Sequence, residues 1–430
     1  MYIDYIKIEN IRSIEKIEVR LHLMGEENLP GWHVFIGDNG SGKTSFIRSV
    51  SIGLIGPTEA VALRENWGDW IRKGSVYGNI SLNVRRDPNF DSYKSRGKGI
   101  KNVPIKCQLQ IGADEEAEKE NSVIRLIAIK DRTTLNYIWS GRKAWFSAAY
   151  GPFRRFRGGD KDLEKIFYSN PRAAAHISAF GEDAALAEVE DWLRNLHFQR
   201  LEQKPVATKM LEGIHTFINQ GSLLPHDARL HRIDSEVISF IDGNQNEITL
   251  NELSDGYRSV LSLTFELLRQ LIATYGHRLV FPDGFASNPI INLPGVVLID
   301  EIDAHLHPTW QVRIGQWFTQ YFPKLQFIVT THSPLICRAA EKGSVWRLAA
   351  PGTNEQARQI TGTELQRLIY GNVLDAYGTE VFGEGVTSSE QAIGKRERLA
   401  ELSKKSIKGT ISESESQELQ AIKAVLPTGG

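Results

Sequence analysis

The segment Gly37–Thr44 constrains the fold of this chain more than any other. It reads Gly-Asp-Asn-Gly-Ser-Gly-Lys-Thr, matches the pattern G-x-x-x-x-G-K-[ST], and lies between an apolar run (33–37) and a helical pattern (44–56). Glycines let backbone N–H groups curl around phosphate oxygens, and the N-terminus of a following helix adds a favourable dipole. The segment therefore predicts a nucleotide site, and a glycine-rich turn without a ligand is the less favoured alternative.

The residues of this loop have separate expected roles. Lys43 would reach the β- and γ-phosphates of ATP, and the Thr44 hydroxyl would coordinate Mg²⁺. ATP and Mg²⁺ are thus the expected cofactors. We expect the nucleotide to contact Gly37, Asp38, Asn39, Gly40, Ser41, Gly42, Lys43, Thr44 and Ser45.

A second apolar run, PGVVLIDEID (294–303), ends in acidic residues. Asp300 at the end of this predicted strand would hold Mg²⁺, directly or through water. Glu301 would point into the same crevice, where a carboxylate can polarise a water in line with the γ-phosphate. The alternative is a buried strand that ends in charged residues without a role at a nucleotide. We favour it less because a P-loop requires such an acidic strand.

A third apolar run, QFIVTTHSP (326–334), places His332 at the end of another predicted strand. A histidine at the carboxyl end of a parallel strand can donate a hydrogen bond to the γ-phosphate or orient the attacking water. Taken alone, His332 would more often be a structural histidine. Together with the other two motifs it is a candidate catalytic residue beside Glu301.

Composition excludes several classes of protein. The 430 residues suggest two or three domains, and 51 Lys and Arg against 52 Asp and Glu exclude a globally basic protein that coats nucleic acid. Two cysteines, Cys107 and Cys337, exclude a disulfide scaffold and fit a reducing compartment. No apolar stretch reaches the roughly 18 residues of a membrane span, and the charged start does not resemble a signal peptide. We expect a cytoplasmic protein with no membrane partner.

The chain divides into regions by its patterning. Residues 1–21 predict a strand pair, 74–140 an antiparallel sheet, 160–220 mainly helices and 237–250 a strand–turn–strand, and the tail from 355 is helical and charged. We expect an N-terminal lobe with the P-loop and an antiparallel subdomain, a helical insertion, a C-terminal lobe and a partner-binding helical region. Their predicted bounds are 1–160, 161–235, 236–352 and 353–430.

The segment LSDGYR (253–258) precedes a strongly apolar helix, with Ser254 as a good N-cap and Gly256 allowing close backbone approach. A capped core helix is the simpler alternative. The segment resembles the signature of ABC-type ATPases of the chromosome-maintenance (SMC) and Rad-like group, although Asp255 and Tyr257 depart from the usual pattern. The order of P-loop, signature, acidic strand and histidine strand is also that of an ABC-type head, whereas a transporter ATPase would be more compact.

This resemblance implies an α/β fold: a P-loop ATPase head with a mixed central sheet, an antiparallel β subdomain, a helical insertion and a helical C-terminal tail. It implies a head-to-tail dimer in which Ser254 and Gly256 close on the partner's γ-phosphate. Arg12 resembles an arginine that lies near the nucleotide in the Rad-like group. His305 and His307 occupy the place of the loop that crosses the dimer, which we favour over a metal pair.

Several segments without a general nucleotide role add a closer resemblance. They are IENIRSIEKIEV (8–19), GLIGPTEAVALRENWGDWIRKG (53–74), FSAAYGPFRRFRGG (146–159), LIDEIDAHLHPTWQ and the tail after GNVLDAYGTEVFG (371–383). The set is similar to the ATPase subunits of Septu anti-phage systems and of some retron defence systems. It implies a partnership with a small HNH endonuclease and a homo-oligomer built from ATP-sandwich dimers.

Nucleic acid, DNA first of all, is a further candidate partner. Residues 142–157 interleave five cations with aromatic residues, which predicts nucleic-acid binding and a structural cluster near the nucleotide about equally. The loop with Lys94, Arg96, Lys98 and Lys101 is a weaker candidate. Two tail helices, about 388–405 and 412–426, would cover their own core or a partner, and Ser412 with Glu415 has capping-box spacing.

Two functional alternatives stay open beside a defence ATPase. One is a DNA repair ATPase of the same fold without a nuclease partner. The other is a scaffold that uses ATP only to stabilise its assembly, and measurable turnover of ATP would exclude it.

Overall fold

The computed structural model describes residues 1–21, 29–87, 89–91, 105–113, 124–128, 132–139, 145–153, 170–181, 187–221, 223–224, 226–353, 355–372 and 390–425. The chain forms two compact units, Met1–Ile369 and Tyr370–Gly430. The predicted boundary at 352/353 thus lies inside the first unit, and the finer division of that unit stays a prediction.

Most of the described strands lie in stretches where the patterning predicts strands, but the strand at Arg358–Ile360 lies in the tail that was predicted to be helical. The described strands are β1 (Tyr2–Ile11), β2 (Ile14–Arg20), β3 (Gly31–Ile36), β4 (Gly78–Arg85), β5 (Ile105–Ala113), β6 (Ile124–Ala128), β7 (Ser147–Tyr150), β8 (Arg229–Ile233), β9 (Ile238–Ile241), β10 (Glu247–Thr249), β11 (Gly295–Ile299), β12 (Leu325–Thr331), β13 (Gly343–Arg347) and β14 (Arg358–Ile360).

The described helices range in length from 4 to 21 residues. They are α1 (Lys43–Ile55), α2 (Pro57–Ala60), α3 (Arg132–Tyr137), α4 (Pro171–His176), α5 (Ala187–Leu201), α6 (Pro205–Gln220), α7 (Asp255–Tyr275), α8 (His277–Val280), α9 (Pro308–Tyr321), α10 (Gly362–Tyr370), α11 (Glu390–Ile407) and α12 (Glu413–Val425). Short 3-10 segments lie at Val61–Leu63, Trp67–Trp70, Ile177–Ala179, Phe285–Ser287 and Pro334–Lys342.

The central sheet has the strand order β14-β13-β3-β12-β11-β7. Its strands β7, β11, β12, β3 and β13 are parallel, and only β14 pairs antiparallel, so the expected mixed sheet is confirmed. Every residue of β3, β11 and β12 is buried, because both faces of a parallel sheet are covered. Their carboxyl ends therefore lie at one edge of the sheet, where the three predicted motifs follow them.

The second sheet, β2-β1-β4-β5-β6, is antiparallel throughout. Alternate residues of β4 are buried, which is the pattern of a sheet with one face in the core and one face in solvent. Helix α1 contacts β1 and β4 of this sheet and β7, β11 and β12 of the central sheet. It shares one hydrophobic core with both sheets, through Phe46 and Val50.

The remaining strands form a small sheet, β10-β9-β8. The pair β9–β10 confirms the predicted strand–turn–strand, and β8 adds a strand that the patterning did not predict. Part of the predicted helical stretch 160–220 is confirmed by α4, α5 and α6, and residues 154–169 lie outside the described residues. The cationic loop 94–101 lies outside them as well.

The second unit contains the helices α11 and α12, close to the predicted tail helices. The Ser412 Oγ accepts a hydrogen bond from Glu415 N (3.2 Å), and Ser412 N donates one to Glu415 Oε2 (3.0 Å). This confirms the capping box. Leu402 and Leu419 are buried, so the two helices bury apolar residues against each other. None of the helices in the described part of the chain combines the length and apolar character that a membrane crossing requires.

Candidate nucleotide-binding site

The phosphate loop joins the end of β3 to the start of α1. Gly40 (φ 83°) and Gly42 (φ 92°) have left-handed backbone conformations, which favour glycine. A Cβ atom on Gly42 would lie 2.8 Å from Ile14 Cγ1 and 3.0 Å from Ser13 Oγ. The loop therefore depends on glycine at position 42 for its backbone conformation and for its contact with the β1–β2 turn.

The loop fits an anionic ligand. No side chain caps the N-terminus of α1 in the structure, so its first backbone N–H groups remain donors for an anion. The Ser41 Oγ is buried and has no hydrogen-bond partner among the described residues. Such a group is expected to find a partner when a ligand binds. The residues present thus fit the phosphates of a nucleotide.

Lys43 is buried at the first turn of α1. Its Nζ donates hydrogen bonds to the carbonyl oxygens of Gly37 (2.6 Å) and Asp38 (3.0 Å). Burial lowers the pKa of this ammonium group, while Glu301 and Asp300 are the strongest of the nearby carboxylates that oppose the shift. The predicted acidic pair thus favours the charged form of the P-loop lysine.

The acidic residues follow β11 and are tied to the end of β12. Asp300 is buried, and the Thr330 Oγ1 donates a hydrogen bond to its Oδ1 (2.5 Å). The same Thr330 oxygen accepts a hydrogen bond from Glu301 N (2.9 Å). Glu301 has a left-handed backbone (φ 46°), which costs energy for a residue with a Cβ and is stabilised here by that hydrogen bond. One hydroxyl group therefore orients both predicted acidic residues.

A second bridge joins the loop after β11 to the histidine. Asp303 Oδ1 accepts a hydrogen bond from Thr331 Oγ1 (2.6 Å), and Asp303 Oδ2 accepts a longer one from His332 N (3.4 Å). Ser333 Oγ donates to Gln311 Oε1 (2.6 Å) on helix α9. The backbone of the predicted catalytic histidine and the side chains on both sides of it are therefore held by the loop after β11 (the acidic loop, residues 300–307) and by helix α9.

Sequence reasoning missed Thr330 and Asp303. Both lie inside the predicted motifs, Thr330 two positions before His332 and Asp303 two positions after Glu301. Hydroxyl and carboxylate groups at the carboxyl ends of adjacent parallel strands were the available signal, but only the register between β11 and β12, with Ile299 opposite Val329, shows which of them meet.

The metal ligands predicted from sequence are Thr44 and Asp300. Hydroxyl and carboxylate oxygens are the ligands that Mg²⁺ prefers in proteins, so this pair fits the ion by its chemistry. Within the described residues no group of three or more His, Cys, Asp or Glu side chains could hold a metal ion by itself. His307 caps α9 instead, because its Nδ1 accepts a hydrogen bond from Thr309 N (3.4 Å).

Arg12 lies in the β1–β2 turn beside the phosphate loop. Its guanidinium group stacks over the Trp70 ring, 4.3 Å from the centroid, and Nη2 lies 3.4 Å from Glu65 Oε2. Burial, followed by the nearby Arg48, lowers the pKa of Arg12, and Glu65 opposes the shift. Ser13 and Ile14, rather than Arg12, make the described contact with Gly42. A nucleotide role for Arg12 stays a prediction.

The signature segment begins α7 and contacts the acidic loop. Ser254 is exposed at the N-cap position, and its side chain makes no capping hydrogen bond. A Cβ on Gly256 would lie 3.0 Å from the His305 carbonyl oxygen. Tyr257, one of the departures from the family pattern, packs on Trp310 of α9 with ring centroids 5.4 Å apart. The described neighbours of Gly256 thus belong to the loop after β11, and the role of Ser254 and Gly256 toward a nucleotide stays a prediction.

The aromatic residues of the stretch 142–157 are largely structural. Trp145, Phe146 and Tyr150 are buried, so their rings offer no face on which a base could stack. Phe153 is only partly buried. The cations of the stretch, Arg142, Lys143, Arg154, Arg155 and Arg157, lie outside the described residues.

Sequence comparison finds a family model and relatives that are named as ATPases or as defence proteins. The family model AAA_21, described as "AAA domain, putative AbiEii toxin, Type IV TA system", matches residues 33–338. The Retron Ec83 probable ATPase of Escherichia coli is 26% identical over 411 residues, which cover 80% of this chain and 74% of that protein. The Septu protein PtuA of Bacillus mycoides is 24% identical over 346 residues, 80% of this chain but only 40% of its own length.

The solved structures support the fold. An SMC head, crystallised with the C-terminal winged-helix domain of ScpA, matches with a TM-score of 0.51 and 16% identity, over 85% of this chain and 100% of its own. At this identity the match shows a common fold, and it confirms the ABC-type, SMC-like head expected from the order of the motifs.

Proposed function

Since this chain belongs to the AAA_21 family of P-loop ATPase domains, we propose that it binds and hydrolyses ATP as the sensing and scaffolding subunit of an anti-phage defence complex. The observation that carries the catalytic part is the register of the central sheet, in which β12 pairs with both β3 and β11, so that the phosphate loop after β3 and the acidic residues after β11 follow strand ends on either side of β12. The defence part is supported by relatives from retron and Septu systems that each align with 80% of the chain.

Each residue of the site would have a separate role in ATP hydrolysis. Bound ATP with Mg²⁺ supplies the phosphoanhydride bond that is cleaved. Lys43 and the N-terminus of α1 would hold the phosphates, while Thr44 and Asp300 would hold the metal ion. Glu301 would accept the proton of the attacking water, and His332 would donate a hydrogen bond to the terminal phosphate. Thr330 and Asp303 would keep these groups in place through the hydrogen bonds already described.

The proposed assembly is a homo-oligomer built from ATP-sandwich dimers. The exposed Ser254 and the uncapped N-terminus of the long helix α7 support it, because such a helix end presents free backbone donors to an anion. In the proposed dimer, this end would close on the nucleotide held by the other copy. The close approach of Gly256 to the His305 backbone would transmit that closure through the acidic loop to Glu301.

The proposed partner is an HNH endonuclease of the PtuB type, controlled by the ATPase. The candidate region for its binding is the tail, where Ile407 at the end of α11 is 87% exposed although the same helices bury Leu402 and Leu419. Amphipathic helices can dock their apolar face into a groove of a partner, and the tail is therefore the region to test for nuclease binding.

Turnover of ATP by the purified full-length chain tests the catalytic assignment. Lys43→Ala should abolish nucleotide binding, and Glu301→Gln should bind ATP but hydrolyse it far more slowly and accumulate as a dimer by mass photometry. Lys342→Ala and Glu341→Gln, which change exposed residues of the same types, should behave as wild type. Hydrolysis by Glu301→Gln at the wild-type rate would refute the role of Glu301, and absence of turnover in the wild type would favour the non-hydrolysing scaffold.

Intact-complex mass spectrometry of the tagged protein from its native host tests the partner. A stoichiometric small HNH protein would support the defence function. The ATPase alone, or with repair proteins, would refute it and favour the repair ATPase, without affecting the nucleotide site.

A further inference from the structure

The solvent face of the antiparallel sheet carries a row of polar side chains across four strands. Tyr5 on β1 pairs with Arg20 on β2 and with Asn83 on β4, and Asn83 pairs with Lys106 on β5. Adjacent strands are about 4.8 Å apart, so the row from Arg20 to Lys106 spans about 14 Å. It lies on a rigid support, because Ile6 and Leu82, which alternate with it on the inner face, are fully buried.

Part of this face is more positive than the chain as a whole, although Glu9 and Glu18 also lie on it. A cleft of about 530 Å³ is lined by four cations, one acidic residue and four uncharged polar residues, namely Lys7, Arg20, Arg85, Lys106, Asp4, Tyr5, Ser81, Asn83 and Gln108. The net charge of the whole chain is −1. The excess of positive charge is therefore local, which is the electrostatic pattern of a surface for an anionic partner.

Two of the four cations are available to such a partner. Arg85 Nε lies 2.6 Å from Asp4 Oδ2, and Lys7 Nζ lies 2.8 Å from Glu9 Oε1. Arg20 and Lys106 are exposed and form no ion pair with any described residue. They stand at the two ends of the row, so a ligand that satisfies both must be elongated.

The centre of the row offers groups of a second kind. The Arg20 guanidinium lies over the Tyr5 ring, 5.7 Å from its centroid. Asn83, Ser81 and Gln108 place amide and hydroxyl groups beside that ring. Amides can donate and accept hydrogen bonds at base edges, and a tyrosine ring or a guanidinium plane can stack on a base.

From this arrangement we propose that the outer face of the β2-β1-β4-β5 strands binds single-stranded nucleic acid. Arg20 and Lys106 would contact backbone phosphates, and Tyr5 with its neighbouring amides would contact bases. An acidic peptide would match the charge but would not use the ring and the amides together. The proposal goes beyond the ATPase function and does not depend on it, because none of these residues belongs to the phosphate loop or the acidic motifs.

Fluorescence anisotropy of the full-length chain with a labelled 20-nucleotide single strand tests the proposal, in DNA and RNA form and from 50 to 300 mM salt. The double variant Arg20→Glu with Lys106→Glu should bind at least about tenfold more weakly and lower the salt slope by about 1.4, since each single-strand phosphate contact contributes about 0.7. The neutral double variant, with glutamine at both positions, should fall between it and the wild type.

Lys209→Glu is the matched control. Lys209 is exposed on α6, outside the sheet, and makes only a 3.6 Å surface pair with Asp283, so its reversal should leave binding unchanged. Wild-type affinity in the double variant, or absence of binding by the wild type at 50 mM salt, would overturn the proposal. Equal competition by polyglutamate would replace nucleic acid with an acidic protein, and equal affinity for a duplex would refute the preference for single strands. ATP turnover without nucleic acid should be unchanged in these variants, which separates this result from the proposed ATPase function.

Discussion

Thr330→Val tests whether one hydroxyl group organises Asp300 and Glu301, the carboxylates that we propose to act in catalysis. The side chain is completely buried, and valine has nearly the same shape. The substitution removes a donor to the Asp300 carboxylate and an acceptor for Glu301 N, at 2.5 Å and 2.9 Å. A hydrogen bond to a charged group contributes about 1.5–3 kcal/mol, and a buried unsatisfied donor costs about 1–3 kcal/mol. Since Glu301 is partly exposed and water can reach it, we use the lower values, about 2.5 kcal/mol together.

This free energy should divide between stability and catalysis. If about 1.4 kcal/mol of it orients Asp300 and Glu301 for the reaction, kcat falls about tenfold, and the remainder lowers the free energy of unfolding by about 1 kcal/mol. The Mg²⁺ concentration for half-maximal rate should rise, because Asp300 loses the hydrogen bond that orients it. Binding of a fluorescent ATP analogue without Mg²⁺ should be unchanged, because Lys43 and the phosphate loop are intact.

Steady-state turnover at varied ATP and Mg²⁺, with urea unfolding of the same preparations, provides the measurement. Thr330→Ser restores the hydroxyl and should recover most of kcat. Thr319→Val is the matched control, since within the described part of the chain the Thr319 hydroxyl bonds only the helix carbonyl oxygens of Gly315 and Gln316. Wild-type kcat and Mg²⁺ dependence in Thr330→Val would refute the reasoning, as would an equal loss in Thr330→Ser, which would indicate a packing effect.

Three further predictions concern separate parts of the site and its support. Gly42→Ala should abolish binding of the ATP analogue, because its Cβ would lie 2.8 Å from Ile14 Cγ1 at the β1–β2 turn. Gly74→Ala has a similar φ of 89° and no atom within 4 Å of its Cβ, so it should only lower the free energy of unfolding by about 1 kcal/mol. Comparable binding by both variants would contradict this prediction. Asp303→Asn weakens the acceptor for Thr331 Oγ1 and His332 N, so kcat should fall severalfold with unchanged ATP affinity, while Asp283→Asn at an exposed surface pair should have no effect on turnover. His176 is buried between Ser51 and Ser147, and burial lowers its pKa to about 3. Below about pH 6.5 the unfolded chain protonates this histidine and the folded chain does not. The contribution of His176 to the free energy of unfolding should therefore fall by about 1.4 kcal/mol per pH unit below 6.5. Urea unfolding of His176→Gln should therefore show a weaker loss of stability between pH 7 and pH 5 than the wild type, and identical slopes would contradict the assignment.

The three strand-end motifs were predictable because each is local in sequence. Asp300 follows five consecutive buried residues and His332 follows seven, and a fully buried run of this length predicts a parallel strand whose carboxyl end carries function. The capping box of Ser412 and Glu415 is local in the same sense. Such patterns depend only on neighbours along the chain, so they can be read before the fold is known.

The partners of these residues could not be predicted in this way. Thr330 meets Asp300 across 30 positions of sequence, and His176 meets Ser51 across 125. Arg12 matched a family position, yet its guanidinium lies on Trp70 and Glu65, 58 and 53 positions away. The cations and aromatic rings of residues 142–157 suggested a nucleic-acid surface, but Trp145, Phe146 and Tyr150 are buried. Composition does not show which side of a strand faces the core.

The amino-acid sequence by itself determined that this chain has a phosphate loop, an acidic strand end and a histidine strand end in the order of an ABC-type head. It did so because the spacing of glycines, the length of an apolar run and the polar residues at its end are patterns of neighbouring residues along the chain. Only the tertiary structure decided that Thr330 and Asp303 form hydrogen bonds to the predicted catalytic segments, and that Arg20, Tyr5, Asn83 and Lys106 form one row. Those contacts are set by the register between strands that are distant in the chain, and register results from the packing of the whole core rather than from any single segment.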